Sequence, residues 1–359
     1  MVKATERLHE LGQSLWLDNI TRDLLTSGTL QRYINELSVT GLTSNPSIFD
    51  HAVTHSASYD AEIRRLMGAG KSGEALFFEL AIQDLTKAAD LFAPIHQRTA
   101  GVDGWVSLEV SPLLAHDTAR TIADAKALHA KANRPNLFIK IPGTLEGLPA
   151  IEEAIFAGVP INVTLLFSRD DYVRAADAYM RGLERRVEAG LSPDVRSVAS
   201  VFVSRWDKAT LDKVPQALRD RLGIAVSQQS YKAYRDLLES ERWQRLEGWG
   251  ARPQRLLFAS TSTKDPQASD VLYIGALAAP NTVNTIPEET LLAFGNHGQV
   301  DRAMARDGSD SEQVLVAITR AGVDVGALAR QLQDEGAKGF VDSWKDLLGA
   351  IETKSKALA

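Results

Sequence analysis

The amino-acid sequence predicts an α/β protein, a closed (β/α)8 barrel with additional helices. Three observations lead there. Short apolar runs recur along the chain, and there are eight of them. Most intervals between the runs carry apolar residues at helical spacing. The runs also contain or end in polar residues, which buried strands tolerate only where those residues share one solvated mouth. Strand–helix repetition makes a parallel sheet, and eight units close it into a barrel.

The elements follow in order. Residues 1–13 predict a short leading helix. SLWLDN (14–19) and GLTSN (41–45) are the first two strands. The interval 46–104 should hold two or three helices, one of them around Gly73 to Ala93. WVSLEVS (105–111) is the third strand, and a helical pattern runs from Asp117 to Asn133. NLFIKI (136–141) and INVTLLFS (161–168) are the fourth and fifth. From Arg169 to Ala189, Tyr172, Ala175, Ala176, Tyr179 and Leu183 form the apolar stripe of a helix. SVASVFVSR (197–205) is the sixth strand, followed by helices in which Gln228 to Glu247 is the clearest pattern. RLLFAST (255–261) and NTVNTI (281–286) complete the set. Beyond Pro287 the sequence predicts helices near 287–295, 311–321 and 324–353, packed on the barrel's outside. With no Gly/Ser linker, residues 1–359 are expected to form one barrel domain with a helical C-terminal extension from about residue 296.

Composition excludes several classes of function. Acidic residues outnumber basic ones, 46 to 40, for a net charge of −6. Such a chain has no global attraction for nucleic acid or an anionic membrane, so a phosphate must be held by a local pocket. The chain has no cysteine. That rules out disulfides, thiolate metal ligands and a cysteine nucleophile, and a reducing cytoplasm fits. The first residues lack a signal-peptide h-region. The longest apolar stretch, Val271 to Pro280, falls short of the roughly 20 residues that cross a bilayer. No dinucleotide or P-loop glycine pattern and no paired-histidine metal motif occurs, so neither cofactor nor metal is expected.

The chemistry should then come from side chains. Lys140 sits in NLFIKIPG between Ile139 and Ile141, on the same strand face as Phe138. Burial disfavours its ammonium, and a neutral amine attacks carbonyls. The bland alternatives are a lysine that snorkels from a strand end or pairs with a buried carboxylate. Asp18 and Glu109 each lie in an apolar strand and are candidates for a base and an acid. Either one could instead simply compensate the lysine's charge. Asn45 precedes Pro46 at the end of the second strand. Asn162 and Thr164 alternate in INVTLL and so share a face. Ser200 and Arg205 lie in the sixth strand. Ser260, Ser262 and Lys264 follow the seventh, where hydroxyls, backbone N–H groups and a cation suit a phosphate.

Together these segments resemble the transaldolase family in its longer bacterial form. The stretches that carry the resemblance are GLTSNPSIF, VSLEVSP, NLFIKIPGTLEGLPAIEE, INVTLLFS, SVFVSRWD, ASTSTKDP and NTVNTIPEETLLAF, spanning about residues 14 to 295. The resemblance implies a TIM-type, class I aldolase-like barrel, circularly permuted relative to ordinary class I aldolases. It implies transfer of a dihydroxyacetone unit between sugar phosphates in the non-oxidative pentose phosphate pathway. Lys140 would form the Schiff base, and Asp18 would act on the hydroxyl proton during carbon–carbon cleavage. Glu109 and Thr164 would position and activate a water. Asn45, Asn162 and Ser200 would hold the dihydroxyacetone hydroxyls. Arg205, with Ser260 or Ser262 and Lys264, would bind phosphate. Many family members carry a short Ser-Phe-Arg where this chain has ASTSTK, so the resemblance leaves the choice of serine open. Two rival activities stand beside this one. A fructose-6-phosphate aldolase is disfavoured by Glu109 and Phe202, positions that tend to be an amide and a tyrosine in that branch. A non-enzymatic sugar-phosphate-binding barrel is disfavoured by the intact set Asp18, Glu109, Lys140 and Thr164. Oligomeric state is open, a homo-oligomer included.

Overall fold

The structure, a computed structural model, describes residues 3–359. Met1 and Val2, the start of the expected leading helix, lie outside the described residues. That helix occupies Ala4–Glu10. The eight apolar runs become β1 (Ser14–Asp18), β2 (Val39–Thr43), β3 (Val106–Glu109), β4 (Leu137–Pro142), β5 (Ile161–Leu166), β6 (Ser197–Phe202), β7 (Gln254–Ala259) and β8 (Val283–Ile286). They pair in parallel in sequence order, and β8 closes on β1. The closed barrel predicted from strand–helix repetition is therefore present.

Local chemistry sets the helix ends. The helix Thr118–Ala132 starts where the Asp117 carboxylate accepts the Arg120 N–H at 3.0 Å. It stops at Asn133, whose φ of 47° is the left-handed cap conformation that Asn tolerates. The helix Arg169–Glu188 opens with a reciprocal capping box between Ser168 and Asp171. The expected helix from Gln228 to Glu247 is in fact two helices, Leu222–Glu239 and Glu241–Gly248, joined at Ser240. Apolar spacing runs through the join, but Ser240 is extended and its hydroxyl accepts the Trp243 N–H. The serine thus caps the second helix instead of continuing the first.

The lower half of the barrel interior is aromatic. Trp105 and Phe138 stack with ring centroids 4.0 Å apart, and Trp16 lies 6.2 Å from Phe138. Trp16 Nε1 donates to Asp103 at 2.7 Å. Gly41 makes room for this layer. A Cβ there would lie 2.7 Å from both the Trp105 carbonyl oxygen and Trp16 Nε1, contacts that real Cβ atoms do not make.

One expectation about the tail fails. The helices Glu288–His297 and Ser311–Arg320 match it, but the last helix, Val325–Leu358, does not pack on the barrel's outside. It lies across the open end of the strands. Leu328, Leu332, Gly336, Trp344, Leu347 and Ile351 form its buried stripe, and Phe340 continues that stripe over the mouth. Gly336 allows the close approach, since a Cβ there would lie 3.0 Å from Leu165 Cδ2 and 3.2 Å from an Arg205 guanidinium nitrogen. Gln333 ties the helix down by donating to the Leu165 carbonyl at 2.9 Å.

Candidate active site

A cavity of about 390 Å3 opens at the C-terminal ends of the strands. In a (β/α)8 barrel this is the end where catalytic groups gather. Asp18, Asn45, Lys140, Asn162, Thr164, Ser200, Phe202, Arg205, Ser260, Ser262 and Lys264 all line it. Of the site residues expected from the sequence, only Glu109 does not line the wall.

Lys140 sits on β4 and is almost wholly buried, at 6% exposure. Its Nζ donates to the Ser44 carbonyl at 3.0 Å and lies 3.4 Å from Glu109 Oε2. The two residues are register partners across β3 and β4, which explains the contact. The Phe340 ring lies above, its centroid 5.8 Å from Nζ. Lys140 therefore does pair with a carboxylate while still facing the cavity, so neither bland alternative displaces the functional one. Burial raises the Glu109 carboxyl to about 7, with Lys140 opposing the shift and Asp18 adding to it.

Asp18 ends β1. Burial raises its pKa, against the pull of Lys140 and of a hydrogen bond from Thr43. That bond is 2.7 Å long, and Thr43 Oγ1 lies a further 2.7 Å from Thr285 Oγ1. With Thr43 donating to the carboxylate, Thr285 must donate to Thr43. The two hydroxyls fix Asp18 Oδ1 and leave Oδ2 without a hydrogen-bond partner among the described residues.

On β5, Asn162 is anchored on both sides. It donates to Ser107 Oγ at 3.1 Å and accepts from Ser200 Oγ at 2.7 Å. Two residues on, Thr164 also lines the cavity, and its Oγ1 is buried without a partner among the described residues. Such an orphan hydroxyl calls for a ligand group or an ordered water. After Thr164 the strand bulges. Val163 pairs with Ala199, but Leu166 pairs with Val201, and Leu165 takes a φ of 59°. The extra residue turns Leu165 away from the ladder and frees its carbonyl for Gln333.

Two expectations about backbone setting are corrected. Asn45 does not end a strand. It caps the helix Pro46–His55, its Oδ1 accepting the Ile48 N–H at 3.1 Å. Pro46 at the first helical position needs no donor there. Arg205 does not end β6, which stops at Phe202. It lies in the first turn of the helix Ser204–Thr210.

At the other side of the cavity the groups are cationic. The Arg205 guanidinium lies over Phe202, 5.1 Å from the ring centroid. Burial lowers its pKa, with Glu335 opposing. Lys264 Nζ donates to Ser262 Oγ at 2.5 Å. Its pKa is lowered by partial burial and by Lys208 and Arg205. Neither Arg205 nor Lys264 forms an ion pair among the described residues. Ser260 holds a left-handed φ of 57° and is tied to Ser204 through its hydroxyl at 3.0 Å and its carbonyl at 2.9 Å. These cations come from the ends of β6 and β7, while the loop after β8 adds Pro287 to the wall.

Comparison with known proteins gives the family. A model described as transaldolase/fructose-6-phosphate aldolase matches residues 15–351. The chain belongs to that family. A transaldolase of Frankia alni is 44% identical over 98% of this chain and 97% of its own length. One from Arthrobacter is 44% identical over the same shares. Transaldolase 2 of Streptomyces coelicolor is 42% identical over all of this chain and 99% of its own.

Some lining residues of this transaldolase-family site were not expected from the sequence. Thr43 sits within GLTSN, and its place on the inward face with Gly41 was a usable signal. Thr285, in NTVNTI, offered the same one. Phe340, Gly339 and Ser343 gave none, because only tertiary packing brings the last helix over the mouth.

Proposed function

We propose that the chain is a transaldolase acting through a Schiff base on Lys140. The observation that carries this is one cavity lined by a buried lysine and the raised carboxyl of Asp18, with Glu109 behind the lysine and, across from them, cations that form no ion pair among the described residues. Lys140 attacks the C2 carbonyl of a ketose phosphate such as sedoheptulose 7-phosphate or fructose 6-phosphate. Loss of water from the carbinolamine gives the iminium, which accepts the electron pair of the breaking C3–C4 bond. Asp18 takes the C4 hydroxyl proton as the aldose phosphate leaves. The enamine of dihydroxyacetone then attacks an incoming aldose phosphate such as glyceraldehyde 3-phosphate or erythrose 4-phosphate, and the steps reverse.

In this reading Asn45 and Asn162, with Ser200, hold the dihydroxyacetone hydroxyls. The orphan hydroxyl of Thr164, together with Glu109, is where a water for imine formation and hydrolysis fits. Arg205 takes the phosphate, with Lys264 and Ser260 or Ser262 beside it. A planar guanidinium offers a fork to phosphate, whereas Lys264 acts as a point charge. Phe202 has no hydroxyl to deliver to the enamine, and Phe340 covers the mouth, so the carbanion equivalent is kept from protons. This favours transfer over release of free dihydroxyacetone. With fructose 6-phosphate alone, one equivalent of glyceraldehyde 3-phosphate should appear per active site, without accumulating dihydroxyacetone. Steady release of dihydroxyacetone would mean an aldolase instead. The cytoplasm is the compartment that suits these substrates.

Arg205→Ala should lower kcat/KM for fructose 6-phosphate about a hundredfold, chiefly through KM. The loss should shrink to a few-fold, about the size of a packing effect, with unphosphorylated fructose. Equal losses for both sugars would remove Arg205 from the phosphate site.

The pH profile has a stated direction. Glu109 activates water as its carboxylate, so kcat/KM should fall as pH drops below about 7. Glu109→Gln should lower the rate and abolish that acid limb. A limb that persists in the variant would assign the ionisation to another group.

A further inference from the structure

We infer that the opposite end of the barrel carries a second ligand site, one that takes a small organic anion with a flat apolar body. A cavity of about 320 Å3 opens there, at the N-terminal ends of the strands. That volume lies within the range of small-molecule sites. Four arginines line it: Arg196, Arg235, Arg252 and Arg255. Trp105, Phe138 and Val198 from the barrel interior form its floor.

The charge balance is the telling feature. The chain has more acidic than basic residues, and twelve of its 26 arginines are paired with carboxylates. Here Arg196 alone is paired, with Asp194 at 2.6 Å. Arg235, Arg252 and Arg255 have no carboxylate partner among the described residues, and Glu247 is the only acidic residue in the lining. Nε of Arg235 and Nε of Arg255 are buried without a hydrogen-bond partner among the described residues. Arg255 is nonetheless held firmly. It donates to the Val102 carbonyl at 3.0 Å, and to Ser14 Oγ and the Thr282 carbonyl, both at 2.7 Å. A fixed arginine flanked by two unpaired ones presents a preorganised positive field, which is costly unless an anion answers it.

The floor selects the body of the ligand. Trp105 and Phe138 are stacked and rigid, and Tyr234 adds a third ring to the lining. Guanidinium planes and indole faces both stack on flat groups. The pocket therefore suits an aromatic sulfonate, phosphate or carboxylate better than a polyol phosphate. It contains no lysine and lies at the other end of the strands from Lys140, so it has no part in the transfer reaction.

Anilinonaphthalenesulfonate is a suitable probe, and N-phenylnaphthylamine is the same body without the anion. The sulfonate should bind the native protein with a fluorescence rise at one site. The neutral amine should bind at least about tenfold more weakly, a difference of about 1.4 kcal/mol. Saturating fructose 6-phosphate should not displace the sulfonate. The variant Arg235→Glu/Arg252→Glu changes two side chains that make no hydrogen bond among the described residues, so it should fold and keep its transfer activity. It should lose at least about tenfold in sulfonate affinity. The inference is overturned by any of four results: no sulfonate binding, equal binding of the neutral amine, displacement by fructose 6-phosphate, or unchanged affinity in a folded double variant.

Discussion

Replacing Lys140 with methionine should lower turnover by at least about four orders of magnitude, as loss of a covalent nucleophile does elsewhere. No other group can stand in for it. Lys264 also lines the cavity, but it sits on the cationic side, bonded to Ser262. Methionine keeps most of the side-chain volume, so the packing against Phe340 and the β3–β4 register survive. The change leaves Glu109 without its cation. A buried carboxylate deprived of its partner is destabilising by about 3–5 kcal/mol if it stays charged. Glu109 has a way out, because burial already holds it at about 7 and Lys140 is the main influence pulling it down. Without Lys140 its pKa rises further, and it takes up a proton at neutral pH. The variant should therefore fold, with a loss of stability that grows as pH rises above 7. In the folded state this group binds a proton that the unfolded chain has already released, so stability falls with rising pH. Circular dichroism melts at several pH values would check that, alongside the activity assay.

Asp18→Asn should lower kcat about a thousandfold, within the range of a lost general base. The interest lies in what it leaves intact. Asp18 acts on carbon–carbon cleavage, whereas imine formation belongs to Lys140, Glu109 and Thr164. The variant should still form a borohydride-trappable adduct with dihydroxyacetone, which needs no cleavage. The Lys140 variant should form none. The asparagine keeps the Thr43 and Thr285 hydrogen-bond chain, so a structural collapse of the mouth is not expected. If Asp18→Asn lost the dihydroxyacetone adduct as well, Asp18 would have to act in imine formation or in holding the lysine.

Much of this architecture is visible in the residue pattern, for definable reasons. The eight strands stand out because their apolar residues are uninterrupted and their polar ones cluster towards the mouth. Glu109, Lys140 and Asn162 then fall on adjacent strands in register, Glu109 opposite Lys140 and Lys140 opposite Asn162. Strand ends are harder to see. In SVASVFVSR the β-branched and apolar pattern continues past Phe202, so nothing local announces that Ser204 begins a helix. Asn45 followed by Pro46 reads equally as a turn or as a helix cap, and the Oδ1 bond to Ile48 decides for the cap. The last helix is the clearest case of missing information. Its stripe from Leu328 to Ile351 shows that one face is buried, but periodicity does not say against what. Only the folded chain brings Phe340 above Lys140. The arginines at the other end of the barrel are equally silent in sequence. Arg196 and Arg255 are separated by three α-helices, and neither belongs to a basic run.

The measurement that bears most directly on the central claim is mass spectrometry of the native enzyme after borohydride reduction in the presence of fructose 6-phosphate. A single reduced three-carbon unit on the peptide carrying Lys140 is the predicted result. A sugar adduct on any other lysine, or no adduct in active enzyme, would contradict it.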